Sequence, residues 1–141
     1  ALPDGKVFAF GGYASFLESS DAGETWEQRS ILGPDIDKHF YGMARNDQSL
    51  VLVGEAGLIS TSDDLGKRWR VIPSPYPGSL FGVTYMPQGG YVAYGMRGKV
   101  MRSSDLGATW TDLESGTTSP FFSATSRPME RWLSSLRSAR P

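Results

Sequence analysis

The chain carries carboxylates and one imidazole, the side-chain types on which many hydrolases depend. Glu55, Asp35 and Asp37 are candidates for the pair of carboxylates that glycoside hydrolysis requires. They lie in loop-like sequence, where charged residues are usually solvated. His39 is the only histidine, so a triad or metal cluster with a second, supporting histidine is excluded. Because it stands directly before Phe40, packing at the start of a strand is the favoured interpretation of His39.

The sequence predicts no catalytic residue, metal or cofactor. Asp35 and Asp37 lack the further ligands and the glycine of a calcium loop. No glycine-rich loop is followed by the lysine or the helix that phosphate binding requires. The chain has no cysteine, which removes disulfides and cysteine catalysis.

Composition indicates one globular domain or part of one, since 39% of the 141 residues are hydrophobic and 21% are charged. The 17 glycines and nine prolines fit short strands joined by many turns. A net charge of −1 gives no electrostatic case for binding nucleic acid or an anionic membrane. No apolar run approaches the roughly 18 residues of a membrane-spanning helix, so we expect no membrane insertion.

An eight-residue motif, Ser-x-Asp-x-Gly-x-x-Trp, occurs three times in the chain. Its tryptophans, Trp26, Trp69 and Trp110, recur at steps of 43 and 41 residues. This period is typical of propeller blades and solenoid repeats. The other motif residues are Ser19, Asp21, Gly23, Ser62, Asp64, Gly66, Ser103, Asp105 and Gly107.

Each motif position suits a tight turn between two strands. The Ser hydroxyl and the Asp carboxylate can accept hydrogen bonds from backbone amides of their own turn. The Gly is predicted to take a positive φ, which glycine reaches without steric cost. The Trp can bury up to roughly 250 Å² against a neighbouring layer. We therefore expect these twelve residues to be structural.

The motif is that of the Asp-box, or BNR, repeat. Such repeats occur in sialidases, some glycoside hydrolases, sortilin-type receptors and the photosystem II assembly and stability factor family. The short unit, with glycine pairs Gly54/Gly57 and Gly95/Gly98 before the box, most resembles the last of these families and its bacterial relatives. The resemblance implies a propeller with Asp-boxes on its outer rim, away from the binding face.

The repeat predicts an all-β fold, a partial β-propeller of about three four-stranded Asp-box blades with a short C-terminal helix. Residues 1–126 would form the blades of an incomplete ring. The predicted first strands are Phe40–Ala44, Leu80–Thr84 and Phe121–Thr125. The predicted second strands are residues 6–10, 50–53 and 91–94. The predicted third strands are residues 15–18, 58–61 and 99–102. The predicted fourth strands are residues 26–29, 69–72 and 110–113.

Residues 127–141 form an atypical basic tail that lacks glycine and contains four arginines. Met129, Trp132, Leu133 and Leu136 have helical spacing, so we predict a short helix near residues 128–138. The alternative is a frameshifted or otherwise non-native ending after about residue 125.

The blades are too few to close a ring, since propellers close with about four to eight. Either two copies associate into a six-bladed homo-oligomer, or the chain is a piece of a longer protein. The abrupt change of composition in the tail favours the second alternative.

Functional positions should be those where the three units differ on the propeller face. Tyr13, Ala56 and Arg97 are equivalent, between paired glycines where the chain should turn. Arg97 could bind a carboxylate or an acidic partner segment bidentately. Arg45 and Glu55 are further candidates for partner binding.

The resemblance implies a non-enzymatic scaffold that binds a protein partner, such as a membrane-protein assembly intermediate, from the lumenal or periplasmic side. The alternative is a fragment of a sialidase or glycoside hydrolase propeller. A sialidase would need clustered arginines, a tyrosine nucleophile and acidic partners, and nothing in this sequence places such residues together.

Overall fold

The computed structural model describes residue 2, residues 4–87 and residues 90–124, which form three antiparallel β-sheets. Blade I contains β1 (Val7–Phe10), β2 (Phe16–Ser19) and β3 (Glu27–Gln28). Blade II contains β4 (Phe40–Arg45), β5 (Leu50–Gly54), β6 (Ile59–Ser62) and β7 (Arg70–Val71). Blade III contains β8 (Leu80–Met86), β9 (Gly90–Gly95), β10 (Val100–Ser103) and β11 (Thr111–Leu113). The all-β propeller blades predicted from the repeat are confirmed.

Within each blade the strands pair in chain order, and the first strands of blades II and III lie side by side. Glycine permits this approach, because a Cβ on Gly42 would lie 2.7 Å from the Cα of Gly82. Blade I lacks a first strand among the described residues, so β1 pairs only with β2.

The core lies between the blades. Blades II and III share a cluster that includes Val51, Val53, Leu80 and Tyr91. Blades I and II share a second cluster around Phe16, Phe40 and Leu52, against which Phe8 and Phe10 pack. All of β5 is buried because blade II is covered on both faces, as its run of apolar residues indicated. The Tyr91 hydroxyl is paired across the blades with Ser49 Oγ at 2.8 Å.

The prediction of a strand at Phe121–Thr125 was wrong for the described part of this segment, because residues 121–124 form no strand. The Phe121 amide does bond to the Gly95 oxygen at 3.0 Å, as the Phe40 amide bonds to the Gly11 oxygen at 2.9 Å. The segment thus starts where a first strand would start. A strand needs a pairing partner, and the described residues contain no second strand of a following blade. The predicted helix near 128–138 and the basic tail lie outside the described residues.

The two ends of the blades carry different turns. We call the end with the 3-10 turns Gly12–Ala14, Glu55–Gly57 and Met96–Gly98 the apical end, which also holds the starts of β4 and β8. We call the opposite end, with the three motif turns, the Asp-box end. In the part of the chain that the structure describes, no helix has the length and apolar character needed to cross a membrane.

Candidate functional site

The three Asp-box turns have one geometry. In each, the Ser hydroxyl accepts a 2.8 Å hydrogen bond from the Gly amide and donates one of 2.8 Å to the Asp carboxylate. The glycines have φ of 92°, 94° and 90°, and the residues before them also have positive φ. The Trp indole N–H donates to the carbonyl of the same glycine. The Ser, Asp and Trp side chains thus all form hydrogen bonds within their own turn.

These contacts stabilise the ionised form of the Asp-box carboxylates. The hydroxyl and the amide of Thr25, together with Ser19, lower the pKa of Asp21 from 3.8 to about 2. The Arg68 amide is the main cause of the lowered pKa of Asp64, also about 2. These carboxylates therefore stay charged in mild acid and are unsuited to proton transfer near neutral pH.

Two of the Asp-box tryptophans pack against the preceding blade. Trp69 packs on Phe16 of blade I at 5.8 Å between ring centroids, and Trp110 packs on the cluster between blades II and III. Trp26 is 44% exposed, because the described residues contain no blade before blade I. Each of the three indoles donates the same hydrogen bond to its own glycine. The three tryptophans therefore differ only in how much of the indole is covered by a neighbouring blade.

The apical turns place Tyr13, Ala56 and Arg97 at equivalent positions. Their φ values are 54°, 54° and 56°, in the left-handed region, and all three side chains are exposed. The turn predicted between the paired glycines is therefore present in all three units.

Two of these turns are joined to the next blade by the same kind of hydrogen bond. The Tyr13 amide donates to Nδ1 of His39 at 3.1 Å, and the Ala56 amide donates to Oγ of Ser79 at 3.1 Å. The equivalent position after Arg97 is Pro120, which has no side-chain acceptor.

Arg97 therefore differs from Tyr13 and Ala56 in its bonding. Among residues 2, 4–87 and 90–124, neither its amide nor its guanidinium forms a hydrogen bond or an ion pair. The nearby Lys99 is already paired with Asp112 at 3.0 Å and lies over the Tyr76 ring. An exposed, uncompensated guanidinium at a fixed turn is well suited to bind a carboxylate.

Glu55 and His39 have local roles at the apical end. Glu55 Oε1 accepts a hydrogen bond from the His39 amide at 3.0 Å, which fixes the start of β4. The His39 ring lies between those of Tyr13 and Tyr41, with centroids 4.7 and 6.2 Å away. Packing thus accounts for His39. Asp35 and Asp37 are exposed on the preceding loop.

Arg45 lies at the opposite end from the other three candidates. It is the last residue of β4 and pairs with Leu50, which in turn pairs with the Asp-box residue Ser62. It lines a cavity of about 310 Å³ together with Phe8 and Phe10 of β1. The structure brings Tyr13, Glu55 and Arg97 to the apical end and leaves Arg45 apart.

Two bulged aromatic residues were not predicted from the sequence. The pairing of β4 with β5 skips Tyr41, and the pairing of β8 with β9 skips Phe81. Their rings are 5.5 Å apart, and Phe81 lies 5.0 Å from the ring of Phe122. A glycine inside a strand indicates a bulge or a close approach, so Gly42 and Gly82 were the available signal.

No group of three or more His, Cys, Asp or Glu side chains that could hold a metal ion occurs among the described residues.

Comparison with known proteins gives a family match over most of the chain. The family model described as photosynthesis system II assembly factor YCF48 matches residues 3–131. No curated protein sequence matches the chain.

Two solved structures are similar in fold. The first, described as YCF48 bound to D1 peptide, has a TM-score of 0.71 and 25% identity, over 80% of this chain and 37% of that chain. The second, YCF48 from Cyanidioschyzon merolae, has a TM-score of 0.63 and 25% identity, over 83% of this chain and 40% of that chain. The chain therefore spans about two fifths of the length of these structures.

Proposed function

Because the chain belongs to the photosystem II assembly factor YCF48 family, we propose that it is a non-enzymatic scaffold that binds a segment of a membrane-protein assembly intermediate. The similar structure described as bound to a D1 peptide makes D1 the first partner to test. From the membership of this family, we also propose that the chain meets this partner from the lumenal or periplasmic side.

The observation that carries the proposal is the unpaired Arg97 at the apical end. The guanidinium and the backbone amide of this residue have no partner among the described residues, and its position is fixed by a turn shared by all three blades. A carboxylate of the partner would supply the missing acceptor. A hydrogen bond to a charged group contributes about 1.5 to 3 kcal/mol, which corresponds to at least a tenfold effect on affinity.

The hydrogen bonds of the ionisable side chains at both ends of the blades support the proposed non-enzymatic role. The Asp-box carboxylates are held ionised by their own turns. His39 Nδ1 is occupied by the Tyr13 amide, and Glu55 accepts from the His39 amide. The side chains of His39 and Glu55 thus form hydrogen bonds that stabilise the fold.

The test is a binding scan with overlapping synthetic peptides that cover the D1 sequence, measured by fluorescence polarisation. At least one peptide should bind, with an affinity that falls as salt rises. Arg97→Ala should weaken this binding about tenfold and flatten the salt dependence. The variant should fold, because Ala56 occupies the equivalent turn position at φ 54°.

Arg45→Ala is the matched control, since it removes the same charge at the opposite end of the blades and should leave the affinity unchanged. If no D1 peptide binds, the proposed partner is wrong. If a peptide binds equally well to Arg97→Ala, the assignment of Arg97 is wrong.

A further inference from the structure

Five aromatic rings form a continuous line across the three blades, which we call the aromatic row: Tyr13, His39, Tyr41, Phe81 and Phe122. Successive ring centroids are 4.7, 6.2, 5.5 and 5.0 Å apart. Tyr13 is 77% exposed, Tyr41 41% and Phe122 70%. Exposed apolar surface that is contiguous commonly marks a binding site.

Backbone bulges place two rings of the aromatic row. Tyr41 and Phe81 are the bulged residues of equivalent first strands, so neither has a partner across its blade. Bulges commonly redirect a side chain next to a functional site. The same local irregularity in two blades places the two rings 5.5 Å apart where the inner strands meet at Gly42 and Gly82.

Arg97 lies at one end of the row. The bond from the Phe121 amide to the Gly95 oxygen holds Phe122 beside the turn that carries Arg97. Arg97 and Phe122 occupy the repeat positions that Tyr13 and Tyr41 occupy at the other end of the row. Pro120 stands at the position equivalent to His39, between them in the repeat. The surface thus combines a succession of aromatic rings with the cation of Arg97, which has no partner in the part of the chain that the structure describes.

We infer that the aromatic row binds the apolar side chains of an extended partner segment whose carboxylate pairs with Arg97. Side chains on one face of an extended chain are about 6.8 Å apart. The rings are more closely spaced, at 4.7 to 6.2 Å, so each side chain of the partner would contact one or two rings. The charge of Arg97 sets the chemistry of the occupant, since an acidic group near apolar residues satisfies both parts of the surface. This inference rests on the proposed function and names the surface on which the binding occurs.

The test uses the full chain and a fluorescein-labelled D1 peptide that binds in the scan above. Phe122→Ala and Tyr41→Ala should each weaken binding about tenfold without changing its salt dependence. The same peptide with its apolar residues replaced by serine should bind weakly and should not distinguish these variants from the unaltered chain. Leu106→Ala is the control, because Leu106 is 45% exposed at the Asp-box end and Ala22 occupies its equivalent position.

Thermal unfolding by circular dichroism shows whether each variant is folded, and Phe122→Ala should be nearly neutral because that side chain is largely exposed. If both truncations bind the peptide like the unaltered chain while Arg97→Ala weakens it, the aromatic row is not the docking surface and the proposed function stands. If the unaltered chain binds no D1 peptide, the proposed function fails and this inference fails with it.

Discussion

The guanidinium of Arg29 in blade I donates a 2.7 Å hydrogen bond to the carbonyl oxygen of Gly66 in the Asp-box of blade II. A second nitrogen of the same group donates to the Lys67 oxygen at 2.8 Å. Arg29 also pairs with Glu18 of its own blade at 2.6 Å. One side chain therefore ties a blade to the rim turn of the next.

Removal of this tie should destabilise the chain. Burial raises the pKa of Glu18, but hydrogen bonds from Lys6 and Arg29 outweigh it, so the pKa is lowered overall. Arg29→Met would remove the bonds to the Gly66 and Lys67 oxygens and leave half of the Glu18 carboxylate unpaired, while Gly66 keeps its bond from Trp69. We expect a cost of about 2 to 3 kcal/mol. Urea unfolding measures the change.

The control for that variant is Arg68→Met, which breaks an ion pair whose arginine side chain is 92% exposed. Exposed pairs contribute about 0 to 1 kcal/mol, so this change should be small. Equal losses in the two variants would contradict the assigned role of Arg29.

Two motif glycines should respond differently to the same substitution. Gly23 and Gly107 have φ of 92° and 90°, so alanine strains both by about 1 to 3 kcal/mol. At Gly107 the new Cβ would also lie 2.8 Å from Thr61 and 3.0 Å from Val51, whereas at Gly23 the nearest atom is 3.8 Å away. Gly107→Ala should therefore cost about 1 to 3 kcal/mol more than Gly23→Ala, because overpacking adds to the strain. Urea midpoints that do not differ would show that the neighbouring blade does not constrain the turn.

The Asp-box turns should make the fold sensitive to strong acid. The folded-state pKa of Asp21 and Asp64 is about 2, below the value of 3.8 expected when unfolded. Hydrogen bonds led by the Thr109 hydroxyl lower the pKa of Asp105 in the same direction. A depressed carboxylate pKa stabilises the fold above the unfolded value, and this contribution is lost as pH falls through the folded value. Stability should thus be nearly constant above pH 5 and should fall between pH 4 and pH 2.

Urea midpoints at a series of pH values test this expectation. Asp105→Asn removes one titrating group and should lower stability at pH 7 while making the acid-induced fall smaller. An unchanged fall in this variant would mean that other carboxylates cause it.

The repeat predicted the elements that depend on local chemistry. Turn residues such as Asp64 and Gly66 fix their own geometry through contacts within four residues, so the motif alone indicates the structure. The second strands were evident because residues such as Val51 and Leu52 are apolar on both faces. The apical turn at Arg97 followed from the paired glycines on either side.

Features that depend on the neighbouring blade could not be predicted from one unit. The tie made by Arg29 is absent from the other units, which have Ile72 and Leu113 at the equivalent positions. The bulge at Tyr41 changes pairing without changing the apolar pattern of its strand. Likewise, the sequence of Phe121 and its neighbours resembles a first strand, but a strand forms only where a partner is present.

The grouping of the candidate residues also required the structure. Arg45 and Arg97 are both charged positions that differ among the units, yet antiparallel pairing places them at opposite ends of the blades. The repeat already indicated that Tyr13, Glu55 and Arg97 lie in equivalent turns, but only the strand pairing shows that Arg45 lies at the other end.

Hydrogen-exchange mass spectrometry of the chain with a bound D1 peptide tests the central claim, that the apical end is the binding surface, most directly. The account predicts slower amide exchange in the three apical turns and around His39 to Tyr41 and Ser79 to Phe81, with unchanged exchange in the Asp-box turns. Protection confined to the Asp-box end around Arg45, with the apical turns unaffected, would contradict it.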